Sequence, residues 1–180
     1  MKRALIVVDY QNDFVTGSLG FPEAHSLAGR IAEKIAAYHQ NGDDVLFTMD
    51  THTPDYLQTQ EGKHLPISHC IKGTDGHALV SQVAEQVQPQ DRFFEKDTFG
   101  SAALLSFLQT QTYASIELVG VVSSICVLSN AVICKTALPE VPIQIDINCI
   151  AASDPTLQNA AIAVMKNLQM QILSEMEETQ

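Results

Sequence analysis

The chain has 180 residues, of which 21 are acidic and 10 are Lys or Arg, so its formal net charge at pH 7 is −11. This charge argues against nucleic acid or an anionic membrane surface as a partner, because both attract clusters of basic residues. Hydrophobic residues make up 46% of the chain and charged residues 17%, which argues against a disordered chain. We therefore expect one globular domain spanning residues 1–180.

Short β-branched segments alternate with stretches of helical periodicity along the whole chain. The predicted strands are residues 4–8, 45–49, 92–95, 115–119 and 143–147, and the predicted helices are residues 26–39, 78–87, 101–108, 125–136 and 156–173. The strands are continuously apolar, which favours a parallel sheet covered on both faces. The expected fold is α/β, a three-layer α/β/α domain with a mainly parallel, Rossmann-like sheet of about five or six strands.

The first residues and the cysteines indicate a cytoplasmic protein. Met1-Lys2-Arg3 and the apolar run after it imitate the start of a secretion signal, but Asp9 interrupts that run. No apolar run is long enough to predict a membrane span. The cysteines form no C-x-x-C pair, as expected for reduced thiols. They are Cys70, Cys126, Cys134 and Cys149. The sequence leaves open whether copies of the chain form a homo-oligomer.

Polar side chains follow the predicted strands at the point where each strand ends. Asp9 follows the first strand, Asp50 and His52 the second, and Lys96 the third, while Cys126 comes after a turn that follows the fourth. In an open parallel sheet, the binding crevice lies at the carboxyl ends of the strands. We therefore expect the carboxyl edge of the sheet to carry an acid, two side chains of the metal-ligand type, a cation and a thiol.

Cys126 lies where a small-residue turn leads into a predicted helix. Free amides and the helix dipole favour an anion there, so we expect a lowered pKa for this thiol and a place for an oxyanion. Asp9 could take the thiol proton and later activate water, and Lys96 could pair with Asp9. The alternatives are a buried structural cysteine, as expected for Cys134 and Cys149, an aspartate that binds loop amides, and a solvated lysine.

The irregular stretch from residue 50 to about residue 77 is longer than most connections and rich in His, which favours a functional loop. Its candidate metal ligands are Asp50, His52, Glu61, His64, His69 and His77. Imidazoles and carboxylates together suit Zn, Fe or Mn. Histidines in polar loops are more often surface residues than ligands, so both interpretations stay open at this point.

Five motifs occur in an order and spacing found in one known family of enzymes. They are residues 5–14 with 17–19, residues 48–52, residues 61–63 with 69–76, residues 96–99, and residues 120–127. On these motifs, which span almost the whole chain, the sequence resembles the isochorismatase-like cysteine hydrolases, and within them the nicotinamidases.

The resemblance implies a role for each of these residues. Asp9, Lys96 and Cys126 would be the catalytic triad, and a cis peptide would join Val121 to Val122. The amides of Val122 and Cys126 would then form the oxyanion hole. Asp50, His52 and His69 would hold a divalent metal, with zinc as the first choice and iron or manganese as alternatives. Glu61 is a further candidate ligand, and Phe14, Leu65 and Phe99 would border the substrate.

The activity implied is hydrolysis of nicotinamide to nicotinate and ammonia through a cysteine thioester, in NAD salvage. Many nicotinamidases place an aromatic residue, often Trp, shortly before the metal histidine. This sequence departs from them, because it has no Trp. Ser123 and Ser124 also stand where Thr-Asp is frequent. The alternatives are hydrolysis of another small amide, a ureido compound or a vinyl ether, and a ligand-binding member without activity.

Overall fold

Six parallel strands form the central sheet of the computed structural model, which describes residues 1–173. The strands are β1 (Ala4–Val8), β2 (Asp44–Asp50), β3 (Arg92–Lys96), β4 (Ile116–Val121), β5 (Ile143–Ala151) and β6 (Gln171–Leu173). Their order across the sheet is β3-β2-β1-β4-β5-β6. The strand order therefore reverses between β1 and β4, and such a switch point is where ligands bind in open α/β sheets.

Helices cover both faces of the sheet, which confirms the predicted three-layer fold. They are α1 (Asn12–Val15), α2 (Pro22–His25), α3 (Ala28–Gln40), α4 (Gln60–His64), α5 (Ser81–Ala84), α6 (Ala102–Leu108), α7 (Leu128–Ala137) and α8 (Pro155–Asn167). Leu5 and Val7 of β1 pack on the side of α3, while Ile6 and Val8 belong to the core beneath α6, α7 and α8. Among residues 1–173, no helix has the length and apolar character needed to cross a membrane.

Several predicted elements differ from the observed ones. The helix expected over residues 78–87 contains only the single turn α5, and the helix expected over residues 156–173 ends at Asn167. Gln169 then adopts a φ of 66°, which stops the helix, and the chain enters β6, the strand that the periodicity missed. Strand β5 extends to Ala151, so Cys149 lies inside it rather than beyond it.

The irregular stretch after β2 folds back, so that its last residues pair with its first ones. His52 pairs with Ile71 in a parallel bridge, in which the His52 amide donates to the Cys70 carbonyl at 2.9 Å and the Lys72 amide donates to the His52 carbonyl at 2.9 Å. The stretch between them holds a 3₁₀ turn at Tyr56–Gln58 and the short helix α4. This bridge brings His69 back to the end of β2.

Candidate active site

The carboxyl ends of the central strands bring an acid, a lysine and a thiol together. Asp9 follows β1, Lys96 is the last residue of β3, and Cys126 lies in a π-helical turn, Ser123–Val127, after β4. Lys96 Nζ lies 2.6 Å from Asp9 Oδ2 and 3.8 Å from Cys126 Sγ, and all three residues are buried. The structure thus places the three side chains that the sequence singled out in one cluster.

The surroundings of Asp9 prepare it to exchange a proton. Burial raises the pKa of this carboxyl, while the charge of Lys96 and a hydrogen bond from the Thr48 hydroxyl oppose that rise. The Thr48 hydroxyl donates to Asp9 Oδ1 at 2.7 Å. A carboxylate with a raised pKa is a better general base near neutral pH than an ordinary one.

The sequence predicts a lowered pKa for the Cys126 thiol, and this prediction is wrong. Burial first, and the charge of Asp9 second, raise the pKa of this thiol well above its usual value, although the charge of Lys96 acts in the opposite direction. The expectation came from the helix terminus alone and took no account of complete burial beside a carboxylate. Cys126 therefore rests as a thiol and needs a base to become a nucleophile, and Asp9 is the acid beside it.

The turn that carries Cys126 starts from an unusual peptide bond. Val121 and Val122 are joined by a cis peptide, as the resemblance implies. The Val122 carbonyl then accepts hydrogen bonds from the amides of Ile125 at 3.0 Å and Val127 at 3.1 Å. The Cys126 amide lies in this first turn, where helix amides have no partner within the helix.

A second cluster lies beside the first and has the composition of a metal site. The side chains of Asp50, His52 and His69 are buried, and their donor atoms all lie within 4.8 Å of one another. Asp50 Oδ2 lies 3.0 Å from His52 Nε2 and 3.2 Å from His69 Nε2. Glu61 Oε1 lies 3.7 Å from His69 Nε2, at the edge of the cluster. Two imidazoles and one or two carboxylates converging in this way fit a divalent transition metal.

The contacts of this cluster orient His69 and keep Asp50 ionised. Nδ1 of His69 lies 2.8 Å from the Ile67 carbonyl, which leaves Nε2 facing the other ligands. Burial alone would raise the pKa of Asp50, but hydrogen bonds from His52 and His69 and the charge of Lys96 hold it below its usual value. Asp50 is therefore a carboxylate at neutral pH, which is the form that binds a metal.

The other two candidate histidines lie outside this cluster. His64 is exposed, and its Nδ1 lies 2.9 Å from the Gln60 carbonyl within α4. His77 Nε2 lies 2.9 Å from the Thr51 hydroxyl oxygen. Residue type does not distinguish these two histidines from His69. Only their positions in the fold show that they lie outside the cluster.

Sequence reasoning missed the residues that hold the two clusters in place. The Gln11 side chain donates to the carbonyls of Asp50 and His77, each at 2.8 Å, and accepts from the Asp50 amide at 2.8 Å. Asp13 Oδ2 accepts a hydrogen bond from the Cys70 amide at 2.8 Å, next to His69. Both residues belong to the first motif, but nothing in their spacing predicts these partners.

The ring of Tyr56 packs against His52 and His69. Its ring centroid lies 4.6 Å from that of His52 and 4.8 Å from that of His69. Its hydroxyl donates to the Leu65 carbonyl at 3.0 Å. This fully buried tyrosine fixes the planes of both histidine rings.

A cavity of about 250 Å³, called here the inner cavity, joins the two clusters. Cys126, Asp50 and His69 line it, and its side walls include Phe14, Leu65 and Phe99, the three residues expected to border a substrate. The rings of Phe14 and His69 meet edge to face, with centroids 5.5 Å apart. Apolar walls with a few converging polar groups are typical of a small-molecule site.

The fold and the thiol cluster define a cysteine hydrolase built on a three-layer α/β/α domain. The chain belongs to the isochorismatase family, because the model of the isochorismatase domain matches residues 3–177.

Individual relatives give the same assignment. The chain is 30% identical over 152 residues to the nicotinamidase/pyrazinamidase of Mycobacterium tuberculosis, covering 72% of this chain and 76% of the relative. It is 32% identical over 143 residues to an uncharacterised isochorismatase family protein of Bacillus subtilis, covering 73% and 78%. Among solved structures, a nicotinamidase/pyrazinamidase of Bacillus subtilis superposes with a TM-score of 0.85 at 28% identity, covering 97% of this chain and all of that one.

Replacing one histidine of the metal-ligand cluster should remove metal binding selectively. We expect His69→Ala to weaken zinc binding on the order of 100-fold or more, because it removes a buried ligand. His64→Ala is the matched control, since this histidine lies on the same connection and outside the cluster. Competition with a chromogenic chelator measures both affinities. Equal zinc affinity of the two variants would contradict the assignment of the site.

Proposed function

We propose that the protein is a nicotinamidase, which converts nicotinamide and water to nicotinate and ammonia. The observation that carries this proposal is that Cys126 and the metal-ligand cluster open on the same small cavity. A pyridine nitrogen held at one end of that cavity leaves its carboxamide near the thiol at the other. The similarity to nicotinamidases from other organisms supports this choice of substrate.

In the first half of the proposed reaction, Asp9 takes the proton of the Cys126 thiol. The sulfur then attacks the carboxamide carbon, and the amides of Val122 and Cys126 donate hydrogen bonds to the oxyanion that forms. Lys96 lies near both Asp9, which takes the proton, and Cys126, which gives it up. The lysine ammonium group is buried beside both, so it offsets the negative charge on Asp9 before the transfer and on the sulfur after it.

In the second half, the tetrahedral intermediate collapses and the carbon–nitrogen bond breaks. Asp9 gives its proton to the departing nitrogen, so ammonia leaves and a thioester remains on Cys126. Asp9 then takes a proton from water, and the resulting hydroxide attacks the thioester carbon. When the carbon–sulfur bond breaks, the proton held by Asp9 returns to the thiolate. The nicotinic acid that forms loses its carboxyl proton to solvent and is released as nicotinate.

Asp50, His52 and His69 would hold the divalent ion, with Glu61 as a further ligand. Zinc is the first choice, and iron or manganese are alternatives, because the donor set suits all three. When bound, the ion supplies a Lewis acid that can coordinate the pyridine nitrogen. The chain itself orients the ring, since Phe14, Leu65 and Phe99 line the cavity around it. This positioning lowers the entropic cost of reaching the attack geometry.

We also propose the extent of the domain, the partner and the location of the enzyme. One catalytic domain would span residues 1–180, of which residues 174–180 lie outside the part that the structure describes. A small amide would be its partner, and the cytoplasm its location. All four cysteines are buried and unpaired, as expected for a reducing compartment.

Removing the nucleophile or its base should abolish or greatly slow the reaction. We expect no ammonia release from nicotinamide by Cys126→Ala, and a loss of about 10²- to 10⁴-fold in kcat for Asp9→Asn, because proton transfer contributes about that much. Cys134→Ala is the control, since this buried thiol lies in α7 and outside the cluster. A coupled ammonia assay measures all three zinc-loaded variants.

Two results would count against the proposal. A Cys126→Ala variant that turns over at the rate of the unaltered protein would exclude the cysteine mechanism. Ammonia release from another amide, with none from nicotinamide, would exclude the substrate and leave the mechanism in place.

The pH dependence of kcat/KM should report the pKa of Asp9. This acid must be ionised to take the thiol proton, so activity falls as the pH drops through its pKa, which burial places above the ordinary 3.8. Thr48→Val removes a hydrogen bond that lowers that pKa, so the acid limb should move up by about one pH unit. Thr136→Val, on the exposed side of α7, is the control. An acid limb that does not move in Thr48→Val would contradict the role of Asp9.

A further inference from the structure

A second cavity lies against the inner cavity and shares part of its lining. It measures about 670 Å³ and is called here the outer cavity. Glu61, Leu65, Phe99 and Ile125 line both cavities. The side chains of these residues therefore separate the space around Cys126 from the larger space outside.

Two of the shared residues are large apolar side chains that remain accessible to solvent. Phe99 is 45% exposed and Ile125 is 42% exposed, although most side chains of this kind lie in the core. Both cavities lie beside them, so each side chain is a wall rather than part of the packed interior. Shortening either one would open the inner cavity toward the outer one.

Hydrogen bonds fix the backbone of this wall to the nucleophile. The buried Asn130 side chain donates to the Phe99 carbonyl at 3.1 Å and to the Cys126 carbonyl at 2.8 Å. It also accepts from the Ser101 amide at 3.1 Å. Ile125 immediately precedes Cys126, and its amide donates to the Val122 carbonyl. The distance between the wall and the thiol is therefore set by the fold.

Polar side chains of several kinds line the outer cavity. Among residues 1–173, its lining includes the acids Glu61 and Asp97, the imidazoles His52 and His64, and neither Lys nor Arg. His52 and Glu61 are also candidate metal ligands, so a bound cation would offset the acidic charge there. The cavity therefore offers hydrogen-bonding groups rather than a charge of one sign.

We propose that Phe99 and Ile125 form a partition that sets the largest amide accepted beside Cys126, and that the outer cavity receives the second ring of a larger amide when either side chain is shortened. This rests on the proposed function, since it takes an aromatic carboxamide as the substrate. The inner cavity holds a single ring, and the partition excludes a second ring fused to it. A shorter side chain at either position admits the larger amide.

Substrate preference tests the partition directly. The ratio of kcat/KM for quinoline-3-carboxamide to that for nicotinamide should rise about tenfold or more in Ile125→Ala, as expected for a side chain that limits a pocket. Phe99→Ala should change the ratio in the same direction. Val132→Ala is the matched control, because Val132 is 40% exposed on α7 and lines neither cavity. An unchanged ratio in both wall variants would overturn the partition.

Alkylation of Cys126 tests the partition without any amide hydrolysis. The rate with a naphthyl iodoacetamide, relative to iodoacetamide, should rise in Ile125→Ala and stay unchanged in Val132→Ala, as measured by mass spectrometry of the Cys126 peptide. If this ratio rises but the unaltered protein does not hydrolyse nicotinamide, the partition stands and the proposed function fails. Ile125→Val should give a smaller change in the same direction and disturbs the fold least. No change in either variant would overturn the proposal.

Discussion

The buried ammonium group of Lys96 lies beside the base, the nucleophile and one carboxylate of the metal-ligand cluster. It is 2.6 Å from Asp9, 3.2 Å from Asp50 and 3.8 Å from Cys126. Two carboxylates that are almost wholly removed from water need such a cation, because an unpaired charge buried in a protein costs several kcal/mol. The ion pair thus allows Asp9 to be a buried base and Asp50 to be a buried ligand. It also links the thiol cluster to the metal-ligand cluster.

The sheet explains why these groups meet. Parallel strands all end at the same edge, and the reversal of strand order sets the turn after β4 directly beside the end of β1. Gly120 allows this approach, because its φ is +113° and a Cβ there would lie 2.1 Å from the Val8 carbonyl oxygen. Asp9 and Cys126 therefore lie on neighbouring strand ends. β2 and β3 pair on the other side of β1 and contribute Asp50 and Lys96.

Much of this arrangement could be predicted, since apolar runs and strand ends are local features. The positions of Asp9, Asp50 and Lys96 at the carboxyl edge of the sheet follow from them together with the rule for parallel sheets. The choice of His69 over His64 required the family motif, because both are histidines in one polar connection. The pKa of Cys126 could not be predicted, because it depends on burial and on a carboxylate distant in sequence. The contacts of Tyr56 with the histidines likewise arise only when the loop folds back onto β2.

During turnover, Cys126 would carry the acyl group as a thioester. Rapid quenching of the zinc-loaded protein with nicotinamide, followed by mass spectrometry of its peptides, detects such a group. We expect a nicotinoyl group on the Cys126 peptide during steady turnover, and its removal by hydroxylamine, as expected for a thioester. Steady release of ammonia with the acyl group on a different residue, or with no acyl group on any cysteine, would contradict this role of Cys126.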